Sequence, residues 1–231
     1  MNSILIFGGA GGIGLAVART AEKLGFSVVV ADKRSPQIKS LDHFPCDATE
    51  ELDVKRAFLY VLEKFGSIDA VVNAQGVYEV NPIEKTELAA WEKMIAVNLK
   101  SVFLVCRAAA FHMKWQKRGY IVNIASMAGL RGKAGEGAYC ASKFGVVGLT
   151  DALFEELRGT GVRVTAICPA SVDTPLLRRA VKLSKEDMEN VLKPEDIARV
   201  IAELITSHKR VYRKIVALEL GSDVSKLGKE K

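Results

Sequence analysis

The stretch Ile4-Leu5-Ile6-Phe7-Gly8-Gly9-Ala10-Gly11-Gly12-Ile13-Gly14 decides the fold. Four apolar residues run into a bunch of glycines, and a helical pattern over 12–24 follows. Glycine lets the backbone turn sharply and come close to a pyrophosphate. A helix that starts there offers unpaired N–H groups and the positive end of its dipole to an anion. Gly8, Gly12 and Gly14 are spaced G-x-x-x-G-x-G, a variant of the G-x-G-x-x-G dinucleotide fingerprint. On its own, an ordinary glycine-rich connection would account for it. The next apolar run, however, closes on Asp32, where a carboxylate can accept the hydroxyls of an adenosine ribose.

Outward from that unit the pattern repeats. Apolar runs lie at Ile4–Phe7, Ser27–Ala31, Ala70–Asn73, Tyr120–Ala125, Val162–Cys168 and Ile215–Leu218, with a shorter strand expected near His43–Cys46. They are rich in Val and Ile and mostly lack alternation, as strands buried on both faces do. Helical stretches fall between them at Gly12–Leu24, Glu50–Phe65, Leu88–Val97 continuing toward Trp115, Gly137–Arg158 and Pro194–Ser207. The alternation predicts an α/β fold: one doubly wound, Rossmann-type domain over residues 1–231, with a mostly seven-stranded parallel sheet and helices on both faces. Ligands of such sheets sit at the carboxyl ends of the strands, so the loops after the apolar runs carry the chemistry.

Composition narrows the classes. The 231 residues are 49% hydrophobic and 26% charged, which fits a folded chain with an ample core. The net charge of +6 is scattered, with small concentrations at Arg178-Arg179, 208–214 and 226–231, so a solvated surface is expected and a nucleic-acid partner is not. Four cysteines (Cys46, Cys106, Cys140, Cys168) show no C-x-x-C spacing, and three histidines form no close cluster. A disulfide framework and a metal site are both disfavoured, and free thiols suit a cytoplasmic location. The uncharged stretch 3–18 lacks a preceding Lys or Arg and is interrupted by glycines, so it is not read as a signal peptide. No membrane span is expected elsewhere.

A second constellation lies in the C-terminal half. Tyr139 and Lys143 are i and i+4, on one face of a helix, and Ser126 ends the run Ile121-Val122-Asn123-Ile124-Ala125. Singly, they read as a core aromatic, a solvated charge and a turn cap. Together they could form a proton-transfer site.

In this combination the chain resembles the short-chain dehydrogenase/reductase family over about residues 3 to 218. The family's T-G-x-x-x-G-x-G stands as Phe7 to Gly14, and its N-N-A-G as Asn73-Ala74-Gln75-Gly76. Its helix asparagine is Asn98, its serine Ser126, its Y-x-x-x-K Tyr139 and Lys143, and its P-G with a downstream threonine spans Pro169 to Thr174. The departures are Phe7 for threonine, Ala74 and Gln75 within N-N-A-G, Ala170 for glycine, and a shortened close at Glu219-Leu220-Gly221-Ser222. The resemblance implies hydride transfer between a nicotinamide cofactor and a carbonyl or secondary alcohol. Tyr139 would be the general acid/base, Ser126 the holder of the substrate oxygen, and Lys143 the group that stabilises the phenolate and binds the nicotinamide ribose. Asn98 would hold a relay water. The cofactor-binding set it implies is Gly8, Gly12, Ile13, Gly14, Asp32, Asp47, Ala48, Asn73, Gly76, Tyr139, Lys143, Pro169, Val172 and Thr174. NAD is expected over NADP from Asp32, although Lys33 and Arg34 pull the other way.

A lid is expected over about 175–193, where Leu176, Leu177, Val181, Leu183 and Met188 mix with Arg178 and Arg179. The substrate is left open among 3-oxoacyl thioesters (with NADPH), sugars, polyols, small ketones and steroids. The rival class is a non-catalytic dinucleotide-binding regulatory module. The helix over 137–158 carries small residues (Ala141, Gly145, Gly148, Ala152) opposite Tyr139 and Lys143, which predicts a homotetramer, or a homodimer, built on it and on the helix reaching Trp115.

Overall fold

A computed structural model describes residues 2–182 and 184–221. Leu183 of the expected lid, Ser222 of the closing segment and the basic stretch 226–231 lie outside the described residues. Seven strands form one sheet: β1 (Ser3–Phe7), β2 (Ser27–Asp32), β3 (Asp42–Pro45), β4 (Ala70–Asn73), β5 (Gly119–Ile124), β6 (Val162–Pro169) and β7 (Ile215–Leu218). Their order is β3-β2-β1-β4-β5-β6-β7, and every pairing is parallel.

The burial of alternate residues explains the unbroken apolar runs. Leu5 and Phe7 of β1 enter one core with Val29, Val71, Ile121 and Val164. Ile4 and Ile6 enter the other with Val28, Val30, Val72, Val122 and Ile167. Successive side chains of a strand point to opposite faces, and both faces here are covered. On the first face lie α2 (Glu51–Phe65), α4 (Ser101–Gln116) and α5 (Gly137–Glu156). On the second lie α1 (Gly12–Lys23) and α8 (Pro194–Thr206). β3 and β7 are the exceptions, half-exposed at the two sheet edges. β3 and β5 begin and end one residue earlier than expected.

The long helix also differs in detail. α3 (Leu88–Ile95) passes through a π-helical turn, Ala96–Lys100, into α4. The whole of Leu88–Gln116 is long and apolar enough to cross a membrane by length and composition, a candidate that the reading of the sequence did not single out. Its apolar residues are divided between the core, with Leu104, Val105, Ala109 and Met113, and the surface, with Phe103, Phe111 and Trp115.

β1 is the switch point of the sheet, with β2 on one side and β4 on the other. The crevice at its carboxyl end is where a doubly wound sheet takes its ligand. The loop of Gly8 and the loop of Gln75 meet there: a Cβ on Gly8, whose φ is +73°, would lie 2.4 Å from the Gln75 backbone nitrogen. Only glycine permits both that conformation and that approach.

Candidate active site

The glycine loop is tied to β2 through its backbone. Gly8 N–H donates to Ala31 O at 3.0 Å, and Ala10 N–H donates to the Asp32 carboxylate at 3.1 Å. The second Asp32 oxygen accepts from Arg34 N–H at 3.0 Å. Asp32 therefore performs the anchoring that a threonine hydroxyl in place of Phe7 would give, and it stays fixed beside the loop. Gly12, Ile13 and Gly14 open α1. A Cβ on Gly12 would come within 3.3 Å of Thr174 Cγ2, so a side chain there would fill the space between the helix start and the root of the lid. That open backbone cradle, facing a helix N-terminus, fits a dinucleotide phosphate.

The neighbouring positions are more committed than the sequence suggests. Asp47 accepts from Thr49 N–H and from its hydroxyl, at 3.0 and 2.7 Å, and pairs with Lys33 at 2.5 Å. Ala48 follows it, half-buried. Asn73 donates to Asn123 Oδ1 at 2.8 Å, and Gln75 Nε2 donates both to Asn73 Oδ1 at 3.1 Å and to Ser101 Oγ at 2.9 Å. Gln75 thus stitches β4 to α4, while its buried Oε1 finds no partner among the described residues. Pro169 ends β6, and Val172 is buried in a bridge to Leu192. Thr174 caps α6 (Pro175–Ala180), accepting from Leu177 N–H at 3.3 Å.

The segment expected as a lid carries α6 and α7 (Lys185–Asn190), and the residues at its two ends are clasped together. Asp173 accepts from Arg178 at 2.7 and 3.0 Å and from Lys193 at 3.2 Å. Arg179 donates to Pro175 O at 2.9 Å. Arg178, one of the two arginines of this segment, is spent on Asp173.

Ser126, Tyr139 and Lys143 converge beyond the carboxyl ends of β4 and β5. Ser126 caps the short turn Met127–Gly129. Its Oγ accepts from Ala128 N–H at 3.1 Å, so its own proton remains available. That turn rests directly on α5: a Cβ on Gly129 would lie 2.6 Å from Lys143 O. The close approach brings the serine toward the Tyr139 hydroxyl, whose hold on its proton the serine weakens. Lys143 is 4% exposed and donates to Ile124 O at 2.8 Å, with Nζ 5.7 Å from the Tyr139 ring centroid. Burial lowers Lys143 to about 8. Burial raises the Tyr139 phenol above its ordinary value, against the hydrogen bond with Ser126, and the Glu136 charge adds to the rise. Tyr139 therefore stands protonated, ready to give a proton.

Asn98 lies within the π turn and is fully buried. Its amide donates to Val77 O at 2.9 Å and to Ser142 Oγ at 3.0 Å, and its Oδ1 accepts from Val77 N–H at 2.7 Å. Both of its donors are used in fixing the segment after Gly76 against α5. π turns occur most often at functional sites, and this one turns Asn98 inward. Two residues outside the sequence expectations join the cluster. The Tyr78 ring packs 4.6 Å from the Tyr139 ring, and its hydroxyl donates to Glu136 Oε1 at 2.6 Å. They are 58 positions apart in the chain and form no local motif. Among the described residues no group of three or more His, Cys, Asp or Glu is placed to hold a metal ion.

Comparison with known proteins agrees with this geometry. The model of a family described as short chain dehydrogenase matches residues 2–185. D-beta-hydroxybutyrate dehydrogenase of Rhizobium meliloti is 36% identical, with 78% of this chain and 75% of that protein covered. A 3-oxoacyl-[acyl-carrier-protein] reductase of Thermotoga maritima is 32% identical, with 94% and 96% covered. Among solved structures, a 3-ketoacyl-(acyl-carrier-protein) reductase of Brucella melitensis complexed with NADH superposes with a TM-score of 0.85 at 27% identity, covering 94% of this chain and 96% of that one.

Proposed function

Since the chain belongs to the short-chain dehydrogenase family, we propose that Tyr139 is its proton donor and acceptor, working with Ser126, Lys143 and Asn98. The enzyme is an oxidoreductase with a nicotinamide cofactor, acting on a CH–OH group or the matching carbonyl. The observation that supports our assignment is the convergence of the Ser126 hydroxyl, the Tyr139 phenol and the buried Lys143 ammonium. The nicotinamide, when bound, supplies or accepts the hydride. Ser126 holds the substrate oxygen by hydrogen bonding, and Tyr139 gives that oxygen its proton in reduction and takes it back in oxidation. Lys143, held by Ile124 O, favours the phenolate and meets the ribose hydroxyls. Asn98 positions the segment after Gly76 and brings the π turn to the relay.

The phosphates would lie on Gly8 to Gly14, with Asp47, Ala48, Asn73 and Gly76 flanking the cofactor and Pro169, Val172 and Thr174 at its nicotinamide end. NAD is favoured. Asp32 is held in place by Ala10 and Arg34 N–H groups, and Lys33 is drawn away to Asp47. A 2′-phosphate at 4 Å from the carboxylate would cost about 4 kcal/mol at an effective dielectric of 20. The chain forms a single catalytic unit with its lid at about 175–193, located in the cytoplasm. A panel of carbonyls and alcohols, followed by nicotinamide absorbance with NADH and NADPH, tests this. Tyr139→Phe should keep the fold and cut kcat by about 10²–10⁴-fold. A variant retaining half the wild-type rate rejects the assignment.

A further inference from the structure

Tyr139 is flanked by a second polar unit that the proton-transfer step does not use. Glu136 lies one helical turn before it at the start of α5, is 4% exposed, and takes Tyr78 OH on Oε1. Lys133 reaches the same oxygen at 2.7 Å, from a side chain that is two-thirds exposed. No hydrogen-bond partner of Oε2 occurs among the described residues.

The arrangement is held from both sides. The segment that begins at Tyr78 lies over the start of α5: Asn81 N–H donates to Gly135 O at 2.8 Å, and Cβ atoms on Gly135 and Gly137 would lie 3.2 Å from Val80 and Ile83 side chains. The Tyr78 ring fills the space between that start and Tyr139, at 4.6 Å and a 60° tilt. Neither residue can swing aside without losing this packing.

The donors and acceptors of this flank are unbalanced. An ionised carboxylate only accepts, and a phenol that has spent its proton on a carboxylate can also only accept. Of the protons nearby, those on Ser126 and Tyr139 belong to the reacting oxygen, and Lys133 spends its ammonium on Glu136 from a side chain that is largely exposed. A substrate group next to the reacting carbon therefore meets acceptors. A hydroxyl satisfies them. A second carbonyl brings lone pairs against lone pairs, and a carboxylate adds like-charge repulsion beside a nearly buried anion.

We propose that Glu136, with Tyr78 bonded to it, selects substrates carrying a free hydroxyl beside the reacting carbon, the neutral polyols and sugars, and rejects those carrying a carboxylate or a second carbonyl there. This rests on the reading of Tyr139 as proton donor.

The test compares three four-carbon probes, butane-2,3-diol, butan-2-ol and 2-hydroxybutyrate, with NAD and with NADP. Wild type should show a kcat/KM for the diol about tenfold or more above that for either other probe. Glu136→Gln supplies an amide donor where only acceptors stood. It should cut the diol-to-monoalcohol ratio about tenfold, chiefly through KM, and raise the relative rate on 2-hydroxybutyrate. Tyr78→Phe, which keeps the ring, should reduce the same ratio and serves if Glu136→Gln folds poorly by circular dichroism. Absence of diol turnover, a preference for 2-hydroxybutyrate, equal treatment of diol and monoalcohol, or an unchanged ratio in both variants overturns the selection role. Failure of the underlying reading looks different: Tyr139→Phe would then keep its activity on whichever probe is used.

Discussion

Lys143 is a cation in a place that disfavours cations, and its stability signature follows from that. Its pKa is about 8 in the fold against 10.5 in the open chain. Between those pH values the unfolded chain holds a proton that the folded one does not, so folding gains stability as pH rises through that window. The gain is about 3 kcal/mol, from about 1.4 kcal/mol per unit. Lys143→Met abolishes it. Urea unfolding of both proteins at pH 7 and near pH 10 should show the difference moving in favour of wild type by about that amount; parallel pH profiles would contradict it. The residue scale also shows where sequence reading stops. Ser126, Tyr139 and Lys143 are legible because two share a helix face and the third ends a strand. Tyr78 and Glu136 are not, because their meeting depends on how a loop after β4 lies over the start of α5. The anchoring role of Asp32 is equally hidden, since its partners are backbone N–H groups.

Among the elements, the glycine loop and the lid show opposite ways of making a site. The loop is rigid by close packing. Gly8→Ala combines a left-handed φ with a Cβ 2.4 Å from backbone. It should cost about 3 kcal/mol or more and lower the melting temperature of the protein, with cofactor affinity falling alongside. The lid is held by ions. Asp173 gathers Arg178 and Lys193, and the Arg178 hydrogen bonds foremost hold its carboxyl below the usual carboxylate range, so the clasp should persist to lower pH than an ordinary carboxylate allows. Asp173→Asn should speed tryptic cleavage at Arg178 and Arg179 several-fold, read by mass spectrometry, while the β1–β5 region stays protected. Equal cleavage rates would show that the bridge of Val172 with Leu192 holds the lid alone. Strands β1, β2, β4, β5 and β6 could be read from Val- and Ile-rich runs because both faces are buried, and β7 from its Ile-Val run although it lies at an exposed edge. β3 and β5 begin and end one residue earlier than expected: the edge strand β3 carries no apolar run, and β5 opens on Gly119. The π turn shifts the hydrophobic period by only one residue within a long helix, too little to register in sequence.

At the scale of the whole molecule, the unpaired feature is a surface. Phe103, Phe111 and Trp115 of α4 and Phe144 of α5 are 45%, 74%, 87% and 46% exposed. Ala141, Gly148 and Ala152 are open beside them, whereas Gly145 packs on Leu99 of its own chain. Aromatics exposed in such number mark a site of association. The homotetramer, or dimer, expected from the sequence would bury them, and Trp115→Glu with Phe111→Glu should reduce the mass seen by light scattering at micromolar concentration. A wild-type monomer would reject the assembly. The four cysteines have a different consequence. Each is a free, buried thiol in its own sector: Cys46 after β3, Cys106 in α4, Cys140 beside Tyr139 and Cys168 near the end of β6. Burial pushes Cys46 and Cys106 up to about 12, so neither offers a thiolate at neutral pH while the fold is closed. A maleimide added to the native enzyme would therefore react only during openings. The order in which the four sulfurs are captured would rank the parts of the molecule by how often they come apart, without any label being engineered in.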